Sequence, residues 1–185
     1  MIHDKDRSGW FGASDTARIM GHWDTKTFRI WWLEKMGLRH SDFSSLAMQT
    51  GTALEHRILE EYGIARMDRQ IRIPRLRLRV NLDGETRGRI LEVKTHGGSN
   101  FKVSKPYWMQ TQVERYAGRK PVTILAYKLE LEDYHNWFRP IDRNRLAEYP
   151  IEYDAEWIER QYLPRLEYLA WCLKKGAYPD EMQFG

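Results

Sequence analysis

The chain has 185 residues, of which 42% are hydrophobic and 13% aromatic; this fits one folded domain over residues 1–185 and excludes intrinsic disorder. Its apolar runs are only a few residues long and no hydrophobic signal region is recognisable, so we expect a cytoplasmic protein without a membrane segment. The single cysteine, Cys172, excludes an internal disulfide and a thiolate zinc site, and the formal net charge is +4.

Positive charge is concentrated in one segment of the chain. Between Arg66 and Arg89 the sequence contains eight arginines and three acidic residues. Guanidinium groups match the geometry of phosphate oxygens, so this segment favours a polyanionic partner such as nucleic acid. Arginine-rich, solvated strands also occur in proteins that bind no nucleic acid, and charge alone does not separate the two interpretations.

The first third of the chain is predicted to be helical. Ser14 can cap a short helix that ends at Gly21, and Thr27 can open a second helix that reaches Met36. A longer helix is predicted over residues 45–62, because its apolar residues recur at helical spacing.

Two β-strands follow. Over residues 75–82 leucine and valine at even positions alternate with arginine and asparagine at odd positions, which predicts a half-buried strand. Asp83-Gly84 and Gly88 predict a turn, after which residues 89–95 form a second strand antiparallel to the first.

The remaining elements are a helix, strands and a final helix. The helix is predicted over residues 104–117 and the strands over 121–131 and 134–138. The final helix is predicted over 154–175, with a kink at Pro164. This order fits an α/β fold with a mixed central sheet flanked by helices.

The pattern most informative about chemistry joins Asp83 to Glu92-Val93-Lys94. Residues two apart on a strand share a face, so Glu92 and Lys94 project together while Val93 points into the opposite layer. Asp83 lies across the predicted turn, and two neighbouring carboxylates favour a divalent cation with oxygen ligands. The arrangement fits metal-assisted phosphodiester hydrolysis, in which Lys94 orients the attacking water or neutralises developing charge. An exposed strand with a surface ion pair, worth less than about 1 kcal/mol, has the same local pattern.

Glu55 is a third acidic candidate. On the helix over 45–62 it shares a side with Ile58 and Leu59, so its carboxylate points along the apolar face. An unpaired buried charge is costly, and metal ligation would remove that cost. The cost would also be avoided if Glu55 lay at the edge of the apolar face or paired with an arginine.

Two glutamines on the following helix could hold a phosphate or the nucleophilic water. Gln110 and Gln112 point in different directions on a helix, so at most one of them faces the site directly. The alternative is that both glutamines are ordinary polar residues at the rim of the helix, without a role in a site.

Five segments stand in a fixed order along the chain: Gly12-Ala-Ser14-Asp15, Gly51-Thr-Ala-Leu-Glu55, Leu82-Asp83-Gly84, Leu91-Glu92-Val93-Lys94 and Tyr107-x-x-Gln110-x-Gln112. Together, over residues 7–118, they resemble the YqaJ-type viral recombinase nucleases, which are relatives of bacteriophage lambda exonuclease. The resemblance implies the fold of the PD-(D/E)XK superfamily, a restriction-endonuclease-like α/β core.

The resemblance also implies an activity and its partners. It implies a Mg²⁺-dependent exonuclease, for which Mn²⁺ substitutes, that degrades one strand of linear double-stranded DNA from 5′ to 3′ in phage-type recombination. It further implies a single-strand-annealing protein as partner and a ring-shaped homotrimer around the DNA.

Residue roles follow from the same resemblance. The implied metal ligands are Asp83, Glu92, Glu55 and Val93, and the catalytic set adds Lys94, Gln110 and Gln112. The residues expected at the terminal 5′ phosphate are Arg7, Ser14, Asn81 and Gln110. The basic strand would place Arg75, Arg77 and Arg79 along the DNA backbone.

The sequence departs from the family pattern around the metal aspartate. Leu82 replaces the usual proline, Asn81 stands where a small hydroxyl residue is common, and Thr95 replaces a frequent Cys-Pro or similar pair. Two alternatives therefore stay open, namely an endonuclease with the same metal core and a non-catalytic DNA-binding module. Degradation of closed circular DNA would favour the first, and metal-independent binding without hydrolysis would favour the second.

Overall fold

A computed structural model of the protein describes residues 7–40 and 44–184. Within these residues, five strands form one sheet in the order β1-β2-β3-β4-β5. Their bounds are Arg66–Ile73, Leu78–Glu85, Ile90–His96, Val122–Lys128 and Leu146–Ile151. Neighbouring strands are antiparallel except β3 and β4, which run parallel. The expected mixed sheet is confirmed.

Helices cover both faces of this sheet. In chain order, α1 to α6 are Thr16–Ile19, Lys26–Lys35, Leu46–Glu61, Lys105–Gly118, Ala155–Trp157 and Leu163–Lys175. The side chains of Ser45 and Ser104 cap α3 and α4 by accepting backbone N–H groups of the first turn. Helix α4 connects the parallel strands β3 and β4, as a crossover between parallel strands requires.

Two hydrophobic clusters pack against the sheet. Leu78, Val80 and Leu82 of β2 join the cluster that includes residues of α2, α4 and α6. On β3 the direction alternates, and Leu91 and Val93 join the other cluster, with residues of α3. Because residues two apart share a face, Glu92 and Lys94 lie on the α4 side of β3.

Strands β2 and β3 pair only beside their connecting turn, where Gly84 lies opposite Leu91 and Glu85 opposite Ile90. Asp83 and Glu92 are the next residues beyond these pairs, where the ladder ends. Helix α3 closes in on β2 at this point: a Cβ on Gly84 would lie 2.8 Å from Cδ2 of Leu59. The strands therefore open into a cleft next to the helix that carries Glu55.

Several predicted strands and turns were wrong. Strand β1 was not predicted because Arg66–Ile73 is a half-exposed, polar segment that gains its order by pairing with β2. Residues 134–138 form no strand: Tyr134 ends a 3₁₀ turn over Leu131–Tyr134, and the last strand is β5. Asp83 and Gly84 lie within β2, and the turn closes between Thr86 and Arg89.

The helices differ from the predictions mainly at their ends. Thr25, rather than Thr27, caps α2, because its hydroxyl oxygen accepts the N–H of Phe28. A π-helical turn over Ile158–Tyr162 interrupts the last helix. It ends directly before α6, whose second residue is Pro164, and the missing N–H of Pro164 cannot continue the α-helical ladder. None of the helices in the described ranges combines the length and apolar character that a membrane span requires.

Candidate active site

The cleft between β2 and β3 brings the two expected carboxylates together. The N–H of Val93 donates to Oδ2 of Asp83 at 2.9 Å, which ties β2 to β3 across the cleft. Glu92, next to Val93, is 3% exposed and points toward α4. The two acids therefore come from neighbouring positions on both strands, with Glu92 buried and Asp83 half-buried.

Lys94 projects beside Glu92 from the same face of β3. Its Nζ donates to Oε1 of Glu92 at 2.6 Å and lies 4.9 Å from the centroid of the Tyr107 ring. Burial alone would lower the pKa of Lys94, but the charges of Glu92 and Asp83 raise it above its ordinary value. The two carboxylates therefore favour the charged form of Lys94, which is a hydrogen-bond donor to Glu92.

Gln110 reaches the same position from α4. Its Nε2 donates to Oε1 of Glu92 at 2.5 Å, and its Oε1 accepts from Nζ of Lys94 at 3.2 Å. Of the two glutamines considered from the sequence, this is the one that faces the site. Glu92, Lys94 and Gln110 form a closed triangle of hydrogen bonds.

Gln112 has a different place. Both ends of its amide bind the main chain of the segment before α5, donating to the carbonyl of Glu152 at 2.9 Å and accepting from the N–H of Asp154 at 2.8 Å. The expected catalytic role of Gln112 does not fit this position, since its polar atoms are used to hold the C-terminal segment.

Glu114 is a site residue that sequence reasoning missed. It is completely buried, and its Oε1 accepts from Nε2 of Gln110 at 2.8 Å. Burial, and then the charges of Glu92 and Asp83, raise its pKa well above the ordinary value. Its spacing of one helical turn from Gln110 was the available signal, because such pairs meet on a helix surface.

Electrostatic repulsion among the acids is strong at this position. Burial, together with the charges of Glu92 and Glu55, raises the pKa of Asp83 well above its ordinary value. Burial and the charge of Glu92 likewise raise the pKa of Glu55 to about 7. The acids thus act on one another, and Glu55 takes part in this electrostatic interaction.

The donor set fits a hard divalent cation. Oε2 of Glu92 is buried and has no hydrogen-bond partner among the described residues, so it is free to bind an ion. Carboxylate oxygens of Asp83, Glu92 and Glu55 are ligands of the type that Mg²⁺ prefers, and an ion would offset their repulsion. The side chain of Val93 packs in the hydrophobic cluster facing α3, so only its carbonyl oxygen could contribute.

A second group of ligand-type side chains adjoins Glu55. Potential ligand atoms of Glu55, His56 and Asp68 lie within 4.8 Å of one another. His56 Nε2 is 3.0 Å from Oδ2 of Asp68, so these two side chains already bind each other. Glu55 therefore stands between the cleft acids and this pair.

A small polar pocket opens beside Asp83. It has a volume of about 180 Å³, and the residues that line it include Arg7, Ser14, Arg79, Asn81, Asp83 and Gln110. The loop on one side is fixed by Asp15, which accepts the N–H of Gly12 at 2.8 Å and pairs with the buried Lys35 at 2.6 Å. The residues expected at a 5′ phosphate thus line one pocket that also reaches a metal candidate.

The expected row of arginines along one strand is wrong. Arg79 lies in β2 and is 5% exposed at the pocket. Arg77 precedes the strand in a left-handed conformation, with φ of 47°, and donates to the carbonyl of Gly9 at 3.2 Å. Arg75 lies in a 3₁₀ turn and pairs with Glu167 at 3.0 Å. Only one of the three side chains therefore reaches the site.

The fold and the clustered acids, lysine and glutamine define the class of a nuclease-like α/β domain. The model of the YqaJ-like viral recombinase domain matches residues 3–116, and the chain belongs to this family. A search of curated protein sequences finds no match.

Solved structures agree on the fold. The alkaline exonuclease LHK-Exo from Laribacter hongkongensis is 18% identical, with a TM-score of 0.67 over 92% of this chain and 90% of that one. A phage-related exonuclease from Haemophilus somnus 129PT is 13% identical, with a TM-score of 0.64 over 91% and 96%. The chain therefore has the fold of these exonucleases over nearly its whole length.

Proposed function

We propose that the protein is a Mg²⁺-dependent exonuclease that degrades one strand of linear double-stranded DNA from 5′ to 3′ in phage-type recombination. The observation that carries this proposal is the continuity between the acid and lysine cluster and the polar pocket at Asp83. A phosphate bound in that pocket would place the adjacent phosphodiester beside the acids. Family membership and the fold support the same activity.

Asp83, Glu92 and Glu55 would hold the ion, with the Val93 carbonyl oxygen as a further ligand. Bound Mg²⁺ would polarise the scissile phosphodiester and make a nearby water more acidic. Lys94 would supply a hydrogen-bond donor for charge that develops on the phosphoryl oxygens. Gln110 orients Lys94 and Glu92 through hydrogen bonds to both.

The composition of the pocket supports a preference for a phosphorylated end. Arg7 and Arg79 supply positive charge, and Ser14 and Asn81 supply hydrogen-bond donors that match phosphate oxygens. A volume of about 180 Å³ is large enough for one phosphate group. The enzyme would therefore start at a 5′-phosphorylated end.

A single assay tests this proposal. Purified protein is incubated with linear or closed circular duplex DNA, with Mg²⁺, Mn²⁺ or EDTA, and with phosphate or hydroxyl at the 5′ ends. We expect metal-dependent loss of linear DNA from phosphorylated ends, with intact circles. Cleavage of circles would favour an endonuclease, and binding without hydrolysis would favour a non-catalytic DNA-binding module.

Family membership also leads us to expect two partners. One is a single-strand-annealing protein that takes up the strand left after digestion, and the other is the chain itself, in a ring-shaped homotrimer. Sedimentation of the purified protein with and without DNA measures the assembly.

A further inference from the structure

We propose that Glu114 is a positioning residue that holds the side-chain amide of Gln110 with its oxygen toward Lys94. The effect on catalysis rests on the nuclease activity proposed above, whereas the positioning can be measured without it.

The orientation of the Gln110 amide follows from its partners. The amide nitrogen carries two hydrogens, and it donates to Oε1 of Glu92 at 2.5 Å and to Oε1 of Glu114 at 2.8 Å. With both hydrogens used, the amide oxygen is left for Nζ of Lys94, at 3.2 Å. A flipped amide would instead point its oxygen at two carboxylates.

Glu114 is the anchor of this arrangement on the helix itself. Glu92 and Lys94 reach Gln110 from β3, whereas Glu114 lies one turn after Gln110 on α4. It is completely buried, and its Oε2 has no hydrogen-bond partner among residues 7–40 and 44–184. A buried carboxyl so poorly satisfied is costly to keep, and holding Gln110 is the contact in which it takes part.

Removal of this acceptor should loosen Gln110 rather than unfold the site. The amide would keep its contact with Glu92 but lose its fixed attachment to α4. Nζ of Lys94 would then lose a fixed acceptor, while the Glu92 contact, at 2.6 Å, would remain. The lysine would be less well placed for the phosphoryl oxygens although its charge is unchanged.

Two substitutions of similar size distinguish the effect of the hydrogen-bond acceptor at position 114 from the effect of side-chain volume. Glu114→Gln keeps an acceptor oxygen at the same position, whereas Glu114→Met fills the space without one. The side-chain NH₂ signals of Gln110, identified by their loss in Gln110→Met, are followed by ¹⁵N-edited NMR. We expect Glu114→Met to move these signals and increase their hydrogen exchange at least about tenfold, and Glu114→Gln to retain most of the protection.

Kinetics then measure the consequence. We expect Glu114→Met to lower kcat on linear duplex by about 10- to 100-fold with KM nearly constant, and Glu114→Gln to restore most of it. In a double-mutant cycle, Glu114→Met should cost little more once Gln110→Met is present, because it acts through Gln110.

Three outcomes would overturn the proposal. Unchanged Gln110 signals in Glu114→Met would mean that Glu114 does not hold the amide. Equal losses in Glu114→Gln and Glu114→Met would mean that charge, not the acceptor, matters. Additive effects in the cycle would mean an independent role. If the wild-type protein digests no DNA, the proposed function fails, and the NMR comparison still decides the positioning.

Discussion

Nζ of Lys94 lies 2.6 Å from Oε1 of Glu92, two residues earlier on the same face of β3, and both side chains are shielded from solvent, at 18% and 4% exposure. An exposed strand pair would have neither this burial nor a third residue bound to both partners. Gln110 binds the acid and the lysine at once. The geometry therefore favours a built site over an incidental surface ion pair.

Lys94→Met should abolish Mg²⁺-dependent digestion of linear duplex, with kcat lower by at least about 100-fold, because a donor to developing charge is lost. DNA binding in Ca²⁺ should persist. Because the substitution removes the cation beside buried Glu92, the melting temperature should fall, and activity is compared per folded molecule. Lys102→Met, at an exposed lysine of the following loop, is the matched control. Full activity of purified, folded Lys94→Met would contradict the assignment.

Glu55→Gln should flatten the pH dependence of stability in EDTA. The pKa of Glu55 is raised from 4.5 to about 7, by burial and by the charge of Glu92. A carboxyl whose pKa is higher in the folded chain stabilises it fully below the unfolded pKa, and this contribution disappears as pH rises through the folded pKa. The metal-free protein should thus lose stability between about pH 4.5 and 7 from this group.

Melting temperatures of both forms across this range test the effect, with exposed Glu60→Gln on the same helix as control. Mg²⁺ should raise the melting temperature of the wild type more above pH 7 than below it, since ligands bind as carboxylates. Parallel curves for wild type and Glu55→Gln would argue that Glu55 is not among the interacting acids.

The sequence predicted the placement of the side chains in the cleft better than the elements around it. Strand alternation is local, so Glu92 and Lys94 could be assigned to one face without knowledge of the rest. The choice between Gln110 and Gln112 needs the rotation of α4 against β3, which only packing determines. The local sequence does not distinguish Glu114 from an exposed glutamate on a helix, because its burial results from the packing of α4 against the sheet. Strand β1 has no apolar alternation and is ordered by pairing, so its own residues do not predict it.

Loss of contacts in the polar pocket should weaken binding of the 5′-phosphorylated end without changing the hydrolysis step. Arg7→Ala and Ser14→Ala should raise KM for 5′-phosphorylated duplex by about tenfold each, as expected for a lost hydrogen bond to a charged group. Rates on 5′-hydroxyl ends should change much less. Arg18→Ala, at an exposed residue of α1, serves as control. If the wild type digests both kinds of end at equal rates, the pocket does not recognise a 5′ phosphate.

Gln112→Leu and Gln110→Met should differ in their effect on catalysis. Gln112 binds the main chain of Glu152 and Asp154, so its loss leaves buried polar groups unpaired and should destabilise the fold by about 1–3 kcal/mol. Activity per folded molecule should persist below the lowered melting temperature. Gln110→Met should instead lower kcat per folded molecule, because Gln110 binds Glu92 and Lys94. Its loss also removes a hydrogen-bond donor from buried Glu92 and Glu114, so the melting temperature should fall as well. Denaturant unfolding and kcat, measured on the same preparations, distinguish the two variants. A lower kcat in folded Gln112→Leu would mean that Gln112 has the catalytic role expected from the sequence.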